Sequence, residues 1–269
     1  MSENAYLHGV HSEEQARLAE LNRLTNAPFV EFLKLPTHGT VLEVGSGLGL
    51  LAADVARTSS SLEVFGIERS AEQLAAAQAG PQNLFLQQGD AHYLPFDDNF
   101  FDVVYCRYVL EHLADPTSAL KEMYRVLKPG GRVAVQENDM SMIGFDPDCP
   151  TLMHWVGKMI EAQAAVDGDA TVGRKLFRLL KQAGFSGIEL TLQPELHWYG
   201  SPRFDAWIRN GIDIINGTSV MMIELGKVTQ VETDQAIGEL RGLLSNEVGS
   251  CVFHWNRAQA IKPVEVKGV

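Results

Sequence analysis

What the chain lacks narrows it first. Cysteine is scarce: Cys106, Cys149 and Cys251 lie far apart and form no Cys-x-x-Cys pair. That usage excludes a disulfide framework and a structural zinc site, and it makes a reducing, cytoplasmic location the expectation. No apolar run approaches the ~20 residues that a membrane-spanning helix needs. The stretch Met1-Ser2-Glu3-Asn4 has none of the basic, apolar and small-residue succession of a secretory signal. Positive charge is short as well: 22 Lys and Arg stand against 34 Asp and Glu, a formal net charge of −12. Such a surface repels phosphate backbones and no Lys/Arg run offsets it, so neither nucleic acid nor a membrane is an expected partner. Metal-ligating residues do not cluster beyond Glu137 and Asp139, and no metal is expected. The oligomeric state leaves no trace in the pattern.

What is present is organised around Val41-Leu42-Glu43-Val44-Gly45-Ser46-Gly47-Leu48-Gly49. Thr40 to Val44 reads as a short buried strand, the glycines break it, and Leu50 to Ala56 has helical spacing. A Gly-rich turn between strand and helix lets a ligand touch backbone, because no Cβ intervenes, and it aims free helix N–H groups at that ligand. A second apolar run, Leu62 to Ile67, closes on Glu68. At that point of a doubly wound sheet, an acid accepts hydrogen bonds from ribose hydroxyls. Turn, strand and acid together predict a nucleoside cofactor.

Around this centre, apolar runs and helical periods alternate as in a parallel α/β sheet. Ser12-Glu13-Glu14-Gln15 has capping-box form and opens a helix carrying Leu18, Leu21 and Leu24. A second short helix is expected over Pro28 to Leu33. Strands are expected at 83–88, 101–105 and 132–136, with helices at 70–78 and 116–127. Further on, 151–166 and 172–182 read as helices, 188–192 as a strand, 203–215 and 235–248 as helices, and 251–261 as the last strand. The expected organisation is a single domain: cap helices over 1–35, a core of 36–199 and 250–264, and a helical lid insertion over 200–249. A hairpin would join the last two strands in a handful of residues, so fifty there signal an insertion.

Glu43 to Gly49, Glu68, Gly89-Asp90-Ala91, Leu94-Pro95-Phe96, Phe101-Asp102-Val103-Val104 and Arg125-Val126-Leu127-Lys128-Pro129-Gly130-Gly131 follow one another in an order that resembles class I S-adenosylmethionine-dependent methyltransferases. The resemblance is greatest to their small-molecule type 11 group and covers about residues 39–138. It implies a doubly wound, mostly parallel, seven-stranded Rossmann-like sheet with helices on both faces and the last strand antiparallel. It implies S-adenosyl-L-methionine as cofactor, held by Glu43, Gly45, Ser46, Gly47, Leu48, Glu68, Arg69, Asp90, Ala91 and Arg107. Glu68 would hold the ribose, Asp90 and Ala91 the adenine edge, and Arg107 the methionine end. Two alternatives share part of the pattern. A nicotinamide-dependent oxidoreductase would want a third glycine at position 50, where Leu50 stands; a catalytically silent partner subunit would show erosion of the glycine turn or of Glu68, and neither is eroded.

Methyl transfer from a sulfonium is an in-line displacement whose leaving thioether needs no acid, so a base is required only if the acceptor must lose a proton. The candidates near strand carboxyl ends are His112, Glu137, Asp139 and His197. For the acceptor, Tyr6, His11, His154, Trp155, Trp198, Phe204 and Trp207 are the candidates, and their aromatic character suggests a small molecule with an aromatic or apolar body, methylated at oxygen or carbon.

Overall fold

Near-continuous apolar runs build the sheet from its middle outward. The computed structural model describes residues 12–264. Strands β1 (Gly39–Val44), β2 (Leu62–Glu68), β3 (Leu84–Gln88), β4 (Phe101–Arg107) and β5 (Leu127–Glu137) run parallel in the order β3-β2-β1-β4-β5. β4 sits between two neighbours and is buried on both faces, as a central parallel strand must be. Val103 and Tyr105 point to one helix layer, Val104 and Cys106 to the other.

On the first face lie α1 (Ser12–Leu33) and α2 (Leu50–Thr58), whose Phe29, Leu33, Leu51 and Val55 cover Val41, Val64 and Val103. A short α3 (Ala71–Ala76) follows β2, its first turn capped by Ser70 Oγ, which accepts from Gln73 N at 3.2 Å. The second face carries α4 (Pro116–Val126) and α6 (Leu176–Gln182), packed through Leu120, Met123 and Leu180. α5 (Pro150–Ala165) stands apart from both layers.

The far edge departs from a seven-stranded sheet. β6 (Gly144–Asp146) is an unforeseen short strand, making eight among the described residues. β8 (Ser250–Ile261) is antiparallel to everything it touches: β5 along 256–261, β6 along 250–252, and the edge strand β7 (Ser186–Trp198) along its whole length. β7 is longer than the expected 188–192 and crosses Pro194, which an edge strand tolerates because its N–H would face outward. α7 (Phe204–Glu224) and α8 (Gln230–Leu244) fill the connection between β7 and β8. α7 runs nine residues beyond the expected end at Ile215, and the buried Thr218 hydroxyl is satisfied by Ile214 O, at 2.7 Å. α8 opens earlier than expected on a capping box between Thr229 and Glu232.

A second correction concerns Pro28. No break occurs there, and α1 is one helix. Proline lacks the N–H that would bond Leu24 O, one turn back. Arg203 supplies the missing donor, its Nη1 reaching Leu24 O at 3.0 Å. The helix is continuous because a residue far along the chain satisfies its gap.

A third apolar cluster lies beyond the carboxyl edge of the parallel strands. Leu21 and Leu24 of α1, Trp155 and Met159 of α5, Phe204 and Ile208 of α7, and Ile237 and Leu240 of α8 close over Phe253 and Trp255 of β8. Helices α7 and α8 therefore share one core with α1, α5 and the outer half of β8.

Candidate active site

The parallel strands end around a cavity of about 790 Å³. The chain leaves β1 through Gly45 (φ 75°) and Gly47 (φ 54°), both in the left-handed region where a side chain is strained. A Cβ on Gly45 would stand 2.4 Å from Val109 Cγ2, so this turn and the one after β4 touch only because the residue is glycine. Gly45 N and Ser46 N donate to Ile67 O at 2.8 and 2.9 Å, which ties the turn to the end of β2. Glu68 is fixed by the same turn: its carboxylate accepts from Gly47 N at 2.9 Å and from Ser70 N at 2.8 Å.

Below the turn, Glu43 is 4% exposed and accepts from the Tyr105 hydroxyl at 3.2 Å. Burial pushes its pKa up to about 8, against the opposing pull of the Arg107 charge. Asp90 accepts from His92 N and from the His92 ring, both at 2.8 Å. Partial burial acts to raise its carboxyl, but these bonds outweigh it and hold Asp90 below its ordinary range. All ten residues named for the cofactor line this one cavity. Arg107 differs from the others in its contacts. Its guanidinium bonds Asn22, Asn26 and Thr25 at 2.7, 2.6 and 3.2 Å, so the donors assigned to a methionine end are engaged on α1 instead.

S-adenosylmethionine can be tested against this cavity. Ser46 Oγ is buried on the wall with no hydrogen-bond partner, which a polar ligand would satisfy. The volume is that of a cofactor site, with a backbone-fixed acid at the second strand end. The residues fit the group.

A smaller cavity of about 130 Å³ adjoins, sharing Leu18, Leu21, Tyr108 and His112 as common wall. Most of its lining is apolar, from Met159, Ile208, Phe253 and Trp255 among others; Arg17, Glu111, Asn138, Gln163 and Asn210 make a polar end. Tyr108 stands at the junction with φ 59°, held there by Gln136 Nε2, which donates to its hydroxyl at 2.6 Å. A left-handed tyrosine is a costly conformation, and it aims the ring between the two cavities.

The acid–base candidates separate sharply. His112 reaches both cavities. Burial, with the Arg17 charge added, depresses its pKa to about 4, so the ring is neutral at physiological pH. Glu137 does not face either cavity. It is fully buried and accepts from Val109 N, Leu110 N and Glu111 N at 3.0, 2.9 and 3.4 Å, which fixes the short helical turn Leu110–His112. Asp139 is likewise buried, capping the turn Met140–Met142 and paired with Arg174. His197 lies in the third cluster, 3.2 Å from Glu195 and 5.1 Å from the Trp207 ring. None of these three can touch a ligand in either cavity without rearrangement.

The acceptor candidates separate in the same way. Trp207 lines the smaller cavity. Trp155 and Phe204 are buried packing residues, and Trp155 Nε1 donates to Thr233 Oγ1 at 3.4 Å. Trp198 is 57% exposed on the outer face of β7, and His154 is exposed near Glu232. Tyr6 and His11 lie outside the described residues. Sequence reasoning missed Glu111, Asn138, Gln163 and Tyr108. Glu111 precedes His112 in the same motif, so adjacency was the one available signal.

Residues 42–135 match the methyltransferase domain family. The uncharacterized methyltransferase YcgJ of Bacillus subtilis is 30% identical over 176 residues, covering 64% of this chain and 64% of that protein. The ubiquinone/menaquinone biosynthesis C-methyltransferase UbiE of Geotalea daltonii is 36% identical over 115 residues, 40% of this chain and 49% of that one. The match thus spans less than two thirds of either relative's length. The solved structure of YcgJ superposes with a TM-score of 0.59 at 19% identity, covering 90% of this chain and 99% of that one. At that identity the likeness is one of fold.

Proposed function

We propose that the chain is an S-adenosylmethionine-dependent methyltransferase, a reading supported by the match of residues 42–135 and the likeness to YcgJ, and that it transfers a methyl group to a small molecule with an apolar, ring-sized body. The observation that carries this reading is the pair of adjoining cavities that share Tyr108 and His112. One has the glycine turn and Glu68; the other has about the volume that encloses a single benzene ring.

When bound, the cofactor supplies an electrophilic methyl group on a sulfonium. Glu68 holds the ribose hydroxyls, Asp90 and Ala91 the adenine edge, and Gly45 and Gly47 the methionine portion through backbone. Burial at the cavity floor disfavours the charged form of Glu43. Tyr108 and His112 form the passage between the cavities, and Leu18 and Leu21 close it from α1. The protein's work is alignment and exclusion of water. α7 and α8 form the lid over the acceptor, and Trp207, Ile208 and Leu240 select its shape. UbiE, which its name describes as a quinone-pathway C-methyltransferase, supports a ring-bearing acceptor.

Calorimetry with S-adenosylmethionine, S-adenosylhomocysteine and NAD tests the reading. The first two bind, and NAD does not compete. Tight NAD binding, or no binding of either adenosyl compound, overturns it.

A further inference from the structure

The polar end of the smaller cavity is built around one carboxylate. Glu111 lies on the short turn after β4, with its side chain on the cavity wall and 5% of its surface exposed. The turn is fixed from below by Glu137, whose carboxylate takes the N–H groups of residues 109 to 111. From the side, Asn138 Nδ2 donates to Glu111 Oε1 at 2.6 Å, and Gln163 Nε2 donates to the Glu111 carbonyl at 2.8 Å. Both amides line the same cavity. A carboxylate held by one amide, on a turn whose backbone carbonyl is held by a second, at one end of an otherwise apolar cavity is an arrangement for orienting a polar group on an apolar ligand.

Resting on the function proposed above, we propose that Glu111 is a catalytic residue: it takes the proton from a phenolic or enolic hydroxyl on the acceptor ring. The hydroxyl sits against Glu111, Asn138 and Gln163, with the ring among Phe253, Trp255 and Ile208. In the step, the O–H bond breaks and its proton passes to a Glu111 carboxylate oxygen. A lone pair on the hydroxyl oxygen forms the new bond to the methyl carbon. The carbon–sulfur bond breaks with its electron pair remaining on sulfur, as a neutral thioether. The sulfonium and carboxylate charges are both extinguished, which favours the step in a low-dielectric cavity. Glu111 ends as the acid and releases its proton to solvent.

The groups facing Glu111 set its basicity. Burial raises its pKa first, and Asp169, from the segment before α6, adds to that rise. Glu137 from β5 faces the same group. Asn138, Gln163 and the Arg17 charge from α1 oppose them. The balance lies above the ordinary carboxylate range, nearer to neutrality, where a general base is most effective. His112, 3.8 Å from Glu111, is depressed to about 4 and is the weaker base of the two.

Phenol and toluene, alike in shape, are the probes. Titrated into the full chain saturated with S-adenosylhomocysteine, phenol binds about 10- to 100-fold more tightly than toluene, as a hydrogen bond to a charged group provides. This preference grows as pH rises from about 5 to 8, because the ionised carboxylate accepts the bond more strongly than the neutral acid does. Glu111→Gln shrinks the preference and removes its pH dependence, while affinity for S-adenosylhomocysteine stays at the parental value, since Glu111 does not line the larger cavity. If that variant does not fold, Asn138→Ala moves the midpoint of the pH dependence upward, because a donor that favours the ionised form is gone. Equal binding of the two probes, no binding of phenol, or an unchanged pH profile in the variant overturns the assignment. Failure of the parent chain to bind S-adenosylhomocysteine overturns the methyltransferase reading instead; the probe comparison is then read without it.

Discussion

At the scale of the residue, position within a backbone framework matters more than residue type. Glu68, Glu43, Glu111 and Glu137 are four glutamates near one site with four different duties. Glu68 is held open by two backbone N–H groups at the cavity lip. Its replacement by Ala removes both the proposed ribose contact and the anchor of the glycine turn. We expect a loss of about 1.5–3 kcal/mol in S-adenosylmethionine binding, measured by calorimetry; unchanged affinity would remove Glu68 from the site. Glu137 and Asp139 are the nearest approach to a cation site in the sequence, yet their oxygens are taken by backbone N–H groups, Ser141 and Arg174. Turnover is therefore expected to survive a chelator, and activity that returns only with magnesium would show that these carboxylates can be released.

Among the elements, α1 is the one whose placement depends most on distant partners. Arg107 on β4 binds three of its polar side chains, Arg203 fills its proline gap, and Arg17 Nη1 donates to Asn210 of α7 at 3.1 Å. Arg107→Met breaks the first set and leaves Asn22 and Asn26 without that partner. The expected cost is about 1.5–3 kcal/mol of stability, with faster amide hydrogen exchange across residues 22–33 than elsewhere. Protection lost uniformly over the sheet would instead mean that α1 is no separate unit. Helices α7 and α8 behave in the opposite way, because they share their core with α1, α5 and β8. Replacing 200–249 by a short turn would uncover Trp155, Met159, Phe253 and Trp255 together. We expect that variant to aggregate rather than to yield a clean lidless enzyme, read as light scattering at temperatures where the parent is clear.

For the whole molecule, the consequence is a particular dependence of stability on pH. Glu43, Glu111 and Glu137 all have folded-state pKa values above their ordinary ones, burial being the first cause in each. A carboxyl raised in the folded state binds its proton more tightly there than in the unfolded chain. Its contribution is complete below the unfolded value, near pH 4.5, and is lost as pH climbs to the folded value, about 8 for Glu43. Unfolding temperature is expected to fall between those limits, and Glu137→Gln, which keeps an acceptor oxygen for the turn, should flatten the fall. A flat profile in the parent would mean that these carboxyls are ionised in the folded protein.

The sequence by itself determined the parallel half of the sheet, the glycine turn and the place of Glu68, because each is written in contiguous or closely spaced residues. A buried parallel strand needs only a short apolar run, a turn needs only glycine where φ is positive, and Glu68 closes its strand. The boundaries that failed had causes elsewhere in the chain. Pro28 reads as a break until Arg203 donates to Leu24, 179 residues away. Glu137 and Asp139 read as free carboxylates until the turns they cap are seen. Trp155, Trp198, Phe204 and Trp207 are one residue class in the sequence, yet two are core, one is solvent-exposed and one lines a cavity. Only the tertiary structure decided these, because burial and hydrogen-bond partnership belong to pairs of residues that no local pattern links.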